Sequence, residues 1–199
     1  MFPRFYLIVD NCDRLDEFLA TGVKLVQLRM KEMSPQQCKT QIRQAKQLCD
    51  QYNAQLVIND YWQLAIEEGC DYIYLGQEDL ASADMDIIKK ANLKFGLSTH
   101  DREELQIALN HEPDYIALGP IYATKLKKMK WRPQGLEKLQ RWKQRIGQIP
   151  LVAIGGFTTD RSAGAFAHGA DSICVVTDVL LAKDPIERCR EWLQATTPS

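Results

Sequence analysis

Gln27, Arg29 and Lys31 stand at alternate positions of one short extended run, with Leu28 and Met30 between them. Side chains alternate across a strand, so the amide and both cations share a side and the apolar pair takes the other. Two cations near the end of a buried strand need anionic partners, because unpaired buried charge is very expensive. A multiply charged ligand such as a diphosphate meets that need. The plainer reading is a pair of surface cations after the strand, one of them paired with Glu32. This segment alone leaves both open.

Two carboxylates follow from successive apolar runs: Asp60 in Asn59-Asp60, and Asp79 in Gly76-Gln77-Glu78-Asp79. Hard cations such as Mg²⁺ are held by one or two carboxylates together with substrate phosphate oxygens, and carboxylates from adjacent strand ends can converge on one ion. The alternative is capping, with Asn59 or Asp60 closing a helix that starts near Tyr61 and Asp79 ending a loop. Ser98-Thr99-His100 ends a further run. A serine there can donate to a phosphate and a histidine can shuttle protons. For His100 by itself the favoured reading is an N-cap hydroxyl followed by a solvated ring.

The segment from Gly119-Pro120 to Gly135 is long and basic, carrying Thr124, Lys125, Lys127, Lys128, Lys130 and Arg132. Long loops in compact domains are often lids or binding loops, and these cations suit an anionic small molecule. A nucleic-acid patch is the competing reading of such a run. Gly155-Gly156 and Val176-Thr177 end the last two apolar runs. Glycine lets an oxyanion approach backbone N–H groups, although glycine pairs also serve tight turns.

What positions these residues is a repeated unit. Eight apolar runs occur at Phe5–Val9, Lys24–Leu28, Leu56–Ile58, Tyr72–Leu75, Lys94–Leu97, Tyr115–Leu118, Leu151–Ile154 and Ser172–Val176. Helical patterns separate most of them, at Pro35–Gln51, Tyr61–Glu68, Asp84–Ala91, Asp101–Leu109, Leu136–Ile146, Thr159–His168 and Pro185–Leu193. Alternation of this kind predicts a parallel sheet. Eight similar units with no edge-like strand favour a closed (βα)8 TIM barrel, α/β in class, over an open doubly wound sheet. In such a barrel every strand exit lies on one face, where the active site forms. The chain has 199 residues, and barrels need roughly 200 at the lower end, so one domain with short loops over 1–199 is expected.

Composition is that of an ordinary globular protein, 45% hydrophobic and 26% charged, with a net charge of −1. That balance gives no global pull toward nucleic acid or an anionic membrane, and no apolar run approaches the roughly 20 residues of a membrane-spanning helix. Asp10 interrupts the N-terminal apolar stretch before any cleavage-like site, so a first strand is expected there and not a signal peptide. The six cysteines show no paired spacing and the three histidines no zinc-like spacing. A reducing, cytoplasmic setting is expected. Oligomeric state is not legible.

As a set, these segments resemble the thiamine-phosphate synthase family. The likeness rests on Val26-Gln-Leu-Arg-Met-Lys31, Val57-Ile-Asn-Asp60, Leu75-Gly-Gln-Glu-Asp79, Gly96-Leu-Ser-Thr-His100, Gly119-Pro-Ile-Tyr-Ala-Thr-Lys125, Pro133-Gln-Gly-Leu136 and Val152-Ala-Ile-Gly-Gly156. Any one is weak; their order and spacing together are specific. The resemblance implies a (βα)8 barrel that joins a pyrimidinylmethyl diphosphate to a thiazole phosphate with Mg²⁺. It further implies Asp60 and Asp79 as metal ligands. Gln27, Arg29, Lys31, Asn59, Ser98 and Lys127 would surround the pyrimidine diphosphate, with Arg29, Lys31, Ser98 and Lys127 acting in catalysis. Thr124, Gly156, Val176 and Thr177 would form the thiazole phosphate pocket.

The chain departs from the family pattern at Tyr61, Leu126, Met129, Thr177 and Asp178. Leu126 removes a hydroxyl and Asp178 would bring negative charge toward the phosphate, so weaker thiazole phosphate binding is expected. Two rivals follow. One is a metal-free thiazole tautomerase of the same superfamily using His100 as acid and base. The other is a ligand-binding or regulatory relative that has lost catalysis.

Overall fold

The computed structural model describes residues 2–124 and 131–198. In chain order the elements are β1 (Phe5–Val9), α1 (Leu15–Ala20), β2 (Leu25–Leu28), α2 (Pro35–Gln51), β3 (Gln55–Asn59), α3 (Trp62–Glu67), β4 (Tyr72–Leu75), α4 (Gln77–Ser82) and α5 (Met85–Lys90). There follow β5 (Lys94–Thr99), α6 (Arg102–Asn110), β6 (Tyr115–Leu118), α7 (Leu136–Ile146), β7 (Leu151–Ile154), a 3₁₀ turn (Thr159–Arg161) running into α8 (Ser162–Ala167), β8 (Ser172–Val175), α9 (Thr177–Leu180) and α10 (Pro185–Thr196). Each strand pairs in parallel with the next, and β1 closes on β8 through Phe5↔Ile173, Tyr6↔Cys174 and Leu7↔Val175. The result is the expected (βα)8 barrel.

Alternation along the strands divides the core in two. Phe5, Leu7 and Val9 face outward to the helices, where Trp142 and Trp192 are also buried. Tyr6 and Ile8 face the lumen with Leu25, Val57, Tyr72, Tyr115, Ala117, Val152 and Cys174. Continuous apolar strands are what burial on both faces requires. Gly96 has a packing reason: a Cβ there would lie 2.1 Å from Tyr115 Cζ, so its absence makes room for the Tyr115 ring.

Caps fix the longer helices. At α2 the Gln37 N–H donates to Ser34 Oγ at 3.3 Å and the Ser34 N–H donates to Gln37 Oε1 at 2.8 Å, with Pro35 opening the first turn. That reciprocal pair satisfies two otherwise orphaned donors. At α6 the cap is Asp101, which accepts from the Glu104 N–H at 2.9 Å. Ser98 and Thr99 belong to β5, so the expected hydroxyl cap is corrected. Three short helices went unforeseen: α1, α4 and α9. Among them α4 replaces an expected loop and carries Asp79 in its first turn. All six cysteines are free thiols, and no described helix is long and apolar enough to cross a membrane.

Candidate functional site

The exit of β3 turns sharply at Asp60, whose φ of 65° is left-handed and uncommon outside glycine. The turn is held by the Asp60 N–H donating to Tyr74 O at 2.9 Å and the Trp62 N–H donating to Asp60 O at 2.8 Å. The Asp60 side chain caps nothing: α3 begins after Tyr61 with no side-chain cap bond. Its carboxyl instead accepts from Asn59 Nδ2 and bonds to the carboxyl of Asp79. Asp79 is held over the start of α4, where a Cβ on Gly76 would lie 3.1 Å from its Oδ2. The capping alternative for this pair is therefore set aside.

Burial, and then the Asp79 charge, push the Asp60 carboxyl up to about 6, while Asn59 and Arg29 act in the opposite direction. Carboxylates in contact cannot both ionise cheaply unless a proton or a cation lies between them. A cleft of about 350 Å³ opens beside the pair, lined by Asp60, Tyr61, Trp62, Gln63, Asp79 and Ser82. Among the described residues no group of three or more His, Cys, Asp or Glu side chains is placed to hold a metal ion. An all-oxygen pair with room for ligand oxygens fits Mg²⁺, which keeps most of its shell for water and phosphate.

Arg29 lies just past β2, half-buried, and its charge acts on Asp60 and on Tyr74. Leu28 and Met30 are buried on the opposite side, as alternation predicts. Lys31 is exposed one step further out, next to an exposed Glu32. One step further in, Gln27 is only 2% exposed. Its Nε2 donates to the Tyr6 hydroxyl at 3.0 Å, and that hydroxyl lies 2.9 Å from the Tyr115 hydroxyl. Gln27 Oε1 has no hydrogen-bond partner among the described residues. Tyr74 stacks on Tyr115 with centroids 6.1 Å apart and bonds to Ser98 through its hydroxyl. Burial drives the Tyr74 phenol upward, so it stays protonated.

Gln27, Arg29, Asn59, Asp60, Asp79 and Ser98 thus belong to one connected cluster. Sequence reasoning missed the tyrosines beneath it. The signal was available, since Tyr6 and Tyr74 occupy the inward register of their strands. Gln77 was also missed: its Nε2 donates to Ser98 O at 2.5 Å and ties α4 to the end of β5.

Thr99 and His100 point elsewhere. Thr99 Oγ1 donates to Ala117 O at 2.8 Å and accepts from Trp142 Nε1 at 2.9 Å, outside the barrel wall. His100 is half-buried and not solvated as expected. Its Nδ1 lies 2.7 Å from Glu104 Oε2, its ring stacks on Trp131 at 5.5 Å, and its carbonyl accepts from Lys138 Nζ at 2.6 Å.

The described ends of the long basic segment are held by backbone hydrogen bonds. The Ile121 N–H donates to Ile154 O at 2.9 Å, the Tyr122 N–H to Gly155 O at 3.0 Å, and the Gln134 N–H to Pro120 O at 2.7 Å. Gly156, at φ 68°, packs so closely that a Cβ would lie 2.4 Å from Ala123 O. Thr124 is half-buried beyond these bonds. Lys127 lies outside the described residues, as do Lys125, Leu126, Lys128, Met129 and Lys130. Val176 caps α9 and Thr177 is its first residue. Asp178 does not bear on this site as expected: its Oδ2 accepts from Arg188 Nε at 2.9 Å and from Trp192 Nε1 at 2.7 Å, so its charge is spent on α10.

A family model described as thiamine monophosphate synthase matches residues 5–179. A thiamine-phosphate synthase of Rhizobium etli is 54% identical over 98% of this chain and 95% of its own. One of Photorhabdus laumondii is 43% identical over 96% of this chain and 85% of its own. Among solved structures, a thiamine phosphate pyrophosphorylase from Pyrococcus furiosus superposes with a TM-score of 0.86 at 26% identity, covering 97% of this chain and 95% of that one.

Proposed function

The chain belongs to the thiamine monophosphate synthase family, and from that membership we propose that it joins hydroxymethylpyrimidine diphosphate to hydroxyethylthiazole phosphate, forming thiamine phosphate and releasing diphosphate. It is a transferase. The observation that supports the reading best is the contact of Asp60 with Asp79 within reach of the Arg29 charge. Such a juxtaposition has little structural use and suits a bound cation and its diphosphate.

Asp60 and Asp79 would hold Mg²⁺. The ion supplies neutralisation of charge on the diphosphate oxygens. Arg29 and Lys31, with Lys127 by the family likeness, would bind the same oxygens. In the reaction the C–O bond to the diphosphate breaks, the bonding pair leaves with the diphosphate, and the pyrimidinylmethyl carbon is left electron-poor. The thiazole nitrogen then donates its lone pair to that carbon. Cations aimed at charge that grows only as the bond breaks raise turnover and not merely affinity. Ser98 and Asn59 would orient the pyrimidine diphosphate, and the lumen beneath would receive the ring. Thr124, Gly156, Val176 and Thr177 would face the thiazole phosphate. No general base is needed, since the attacking nitrogen carries no proton to lose. A tautomerase centred on His100 finds less support, because that ring is engaged by Glu104 and Trp131.

One assay tests the reading: both phosphorylated precursors, with and without Mg²⁺, followed by detection of thiamine phosphate. Product is expected only with the metal. Folded protein that forms none under these conditions would overturn the assignment. We also infer a single-domain protein working in the cytoplasm on small phosphorylated substrates.

A further inference from the structure

We propose that Gln77 is a positioning residue: it pins the first turn of α4 to the end of β5 and so holds Asp79 where it can share a divalent cation with Asp60. The inference rests on the cation reading given under the proposed function and deepens it, because it assigns affinity for the ion to a side chain that does not touch it. One bond carries it, from Gln77 Nε2 to Ser98 O at 2.5 Å. A backbone carbonyl only accepts, so the NH₂ end of the amide must face it.

Little else holds α4. The helix has six residues, begins after Gly76 with no side-chain cap bond, and buries only Leu80. Asp79 lies in its first turn with its carboxylate close over Gly76, so whatever places that turn places the carboxylate. Asp79 also meets the Asp60 carboxyl. Two carboxylates in contact repel unless a proton or a cation lies between them, and that repulsion pushes the turn away from the site. β5 is the firm side of the joint. Ser98 pairs with Ala117 of β6, while register with β4 stops one residue earlier at Leu75↔Leu97. The Ser98 carbonyl therefore stands just past the end of that ladder, and the Gln77 side chain gives it a donor. The contacts close a ring. The Asp60 N–H donates to Tyr74 O at 2.9 Å, and the Tyr74 hydroxyl bonds to Ser98. Ser98 O accepts from Gln77, and the turn that follows Gln77 brings Asp79 back to Asp60. Removing a side chain that holds a metal ligand in place typically weakens metal affinity by about 10–100-fold.

The test measures Mn²⁺ binding to the full chain, by the electron paramagnetic resonance of the free ion, in the wild type, Gln77→Met and Gln77→Leu. Mn²⁺ stands in for Mg²⁺, since both suit carboxylate and water oxygens. Both substitutions remove the donor and keep a good helix former. The wild type is expected to bind the ion, and Asp79→Ala to abolish that binding. In Gln77→Met and Gln77→Leu the dissociation constant should rise about tenfold, and the half-saturating Mg²⁺ for turnover should rise with it. Loss of the bond itself is read at the Ser98–Thr99 peptide, the one Ser-Thr pair in the sequence. Labelling with ¹³C-serine and ¹⁵N-threonine gives that peptide a single amide signal, expected to move in both variants. A merely structural Gln77 would lower the thermal midpoint and leave the affinity for the ion unchanged. That outcome in either folded variant, or an unmoved Ser98–Thr99 signal, overturns the inference and leaves the enzyme assignment intact. A wild type that does not bind Mn²⁺, or binds it equally well without Asp79, defeats the cation reading and this inference with it.

Discussion

Asp60 joins an unfavourable backbone to an unfavourable charge, and both have measurable consequences. Its folded carboxyl titrates near 6 against an ordinary 3.8, so between those values the folded state binds a proton that the unfolded state has lost. By linkage its contribution to stability is present at low pH and is lost as pH rises from about 4 through about 6. We expect the metal-free protein to show this loss in urea midpoints, superposed on its other titrations, and Asp60→Asn to remove it. A pH profile unchanged by the substitution would refute the cause. Asp79→Ala removes the neighbouring charge. It should lower turnover by about 100-fold or more while leaving the thermal midpoint unchanged or raised, as steady-state kinetics and calorimetry can check. Asp178→Asn should behave oppositely. Loss of the Arg188 ion pair should cost about 1 kcal/mol, with little change in KM for the thiazole phosphate. The Asp60 and Asp79 pair was legible because both lie at exits of neighbouring strands. The fate of Asp178 was not, since its partners come from a helix that sequence spacing does not align with it.

Elements with caps or several turns were readable, as Ser34-Pro35 and the apolar face of α2 illustrate. Helices α1, α4 and α9 have six, six and four residues, too few to display a helical period, so the helix that carries Asp79 does not show in the sequence. The start of the basic segment was legible only as punctuation by glycine and proline, not as the backbone clamp between β6 and β7 that it is. That clamp yields a prediction at Gly156. Gly156→Ala places a Cβ against the Ala123 carbonyl at a positive φ, and such strain costs about 1–3 kcal/mol. Both a lower denaturation midpoint and a higher KM for the thiazole phosphate are expected. A change confined to stability would separate Gly156 from the phosphate.

At the scale of the whole molecule, the eight apolar runs and their polar exits carried the architecture, because a barrel buried on both strand faces leaves little else for the strands to be. What lies inside was harder to read. Tyr6, Tyr72, Tyr74 and Tyr115 converge only once all strands are in register. Ligand linkage tests the composite site as a unit. Mg²⁺ together with diphosphate, at about 100 times the dissociation constant, should stabilise the fold by about 2.7 kcal/mol. Neither component alone should match that, and Asp79→Ala should abolish the excess. A thermal shift equal to the sum of the separate effects would count against a shared site.

The pairing of β1 with β8 also dictates an order of events during synthesis. Until Ser172–Val175 leaves the ribosome, β1 has one neighbour instead of two, and the nascent wall is an open sheet with a raw edge at each side. Such edges invite pairing with other chains. β1 must therefore wait for β8, and a nascent chain halted before β8 is exposed to aggregation and to chaperone capture.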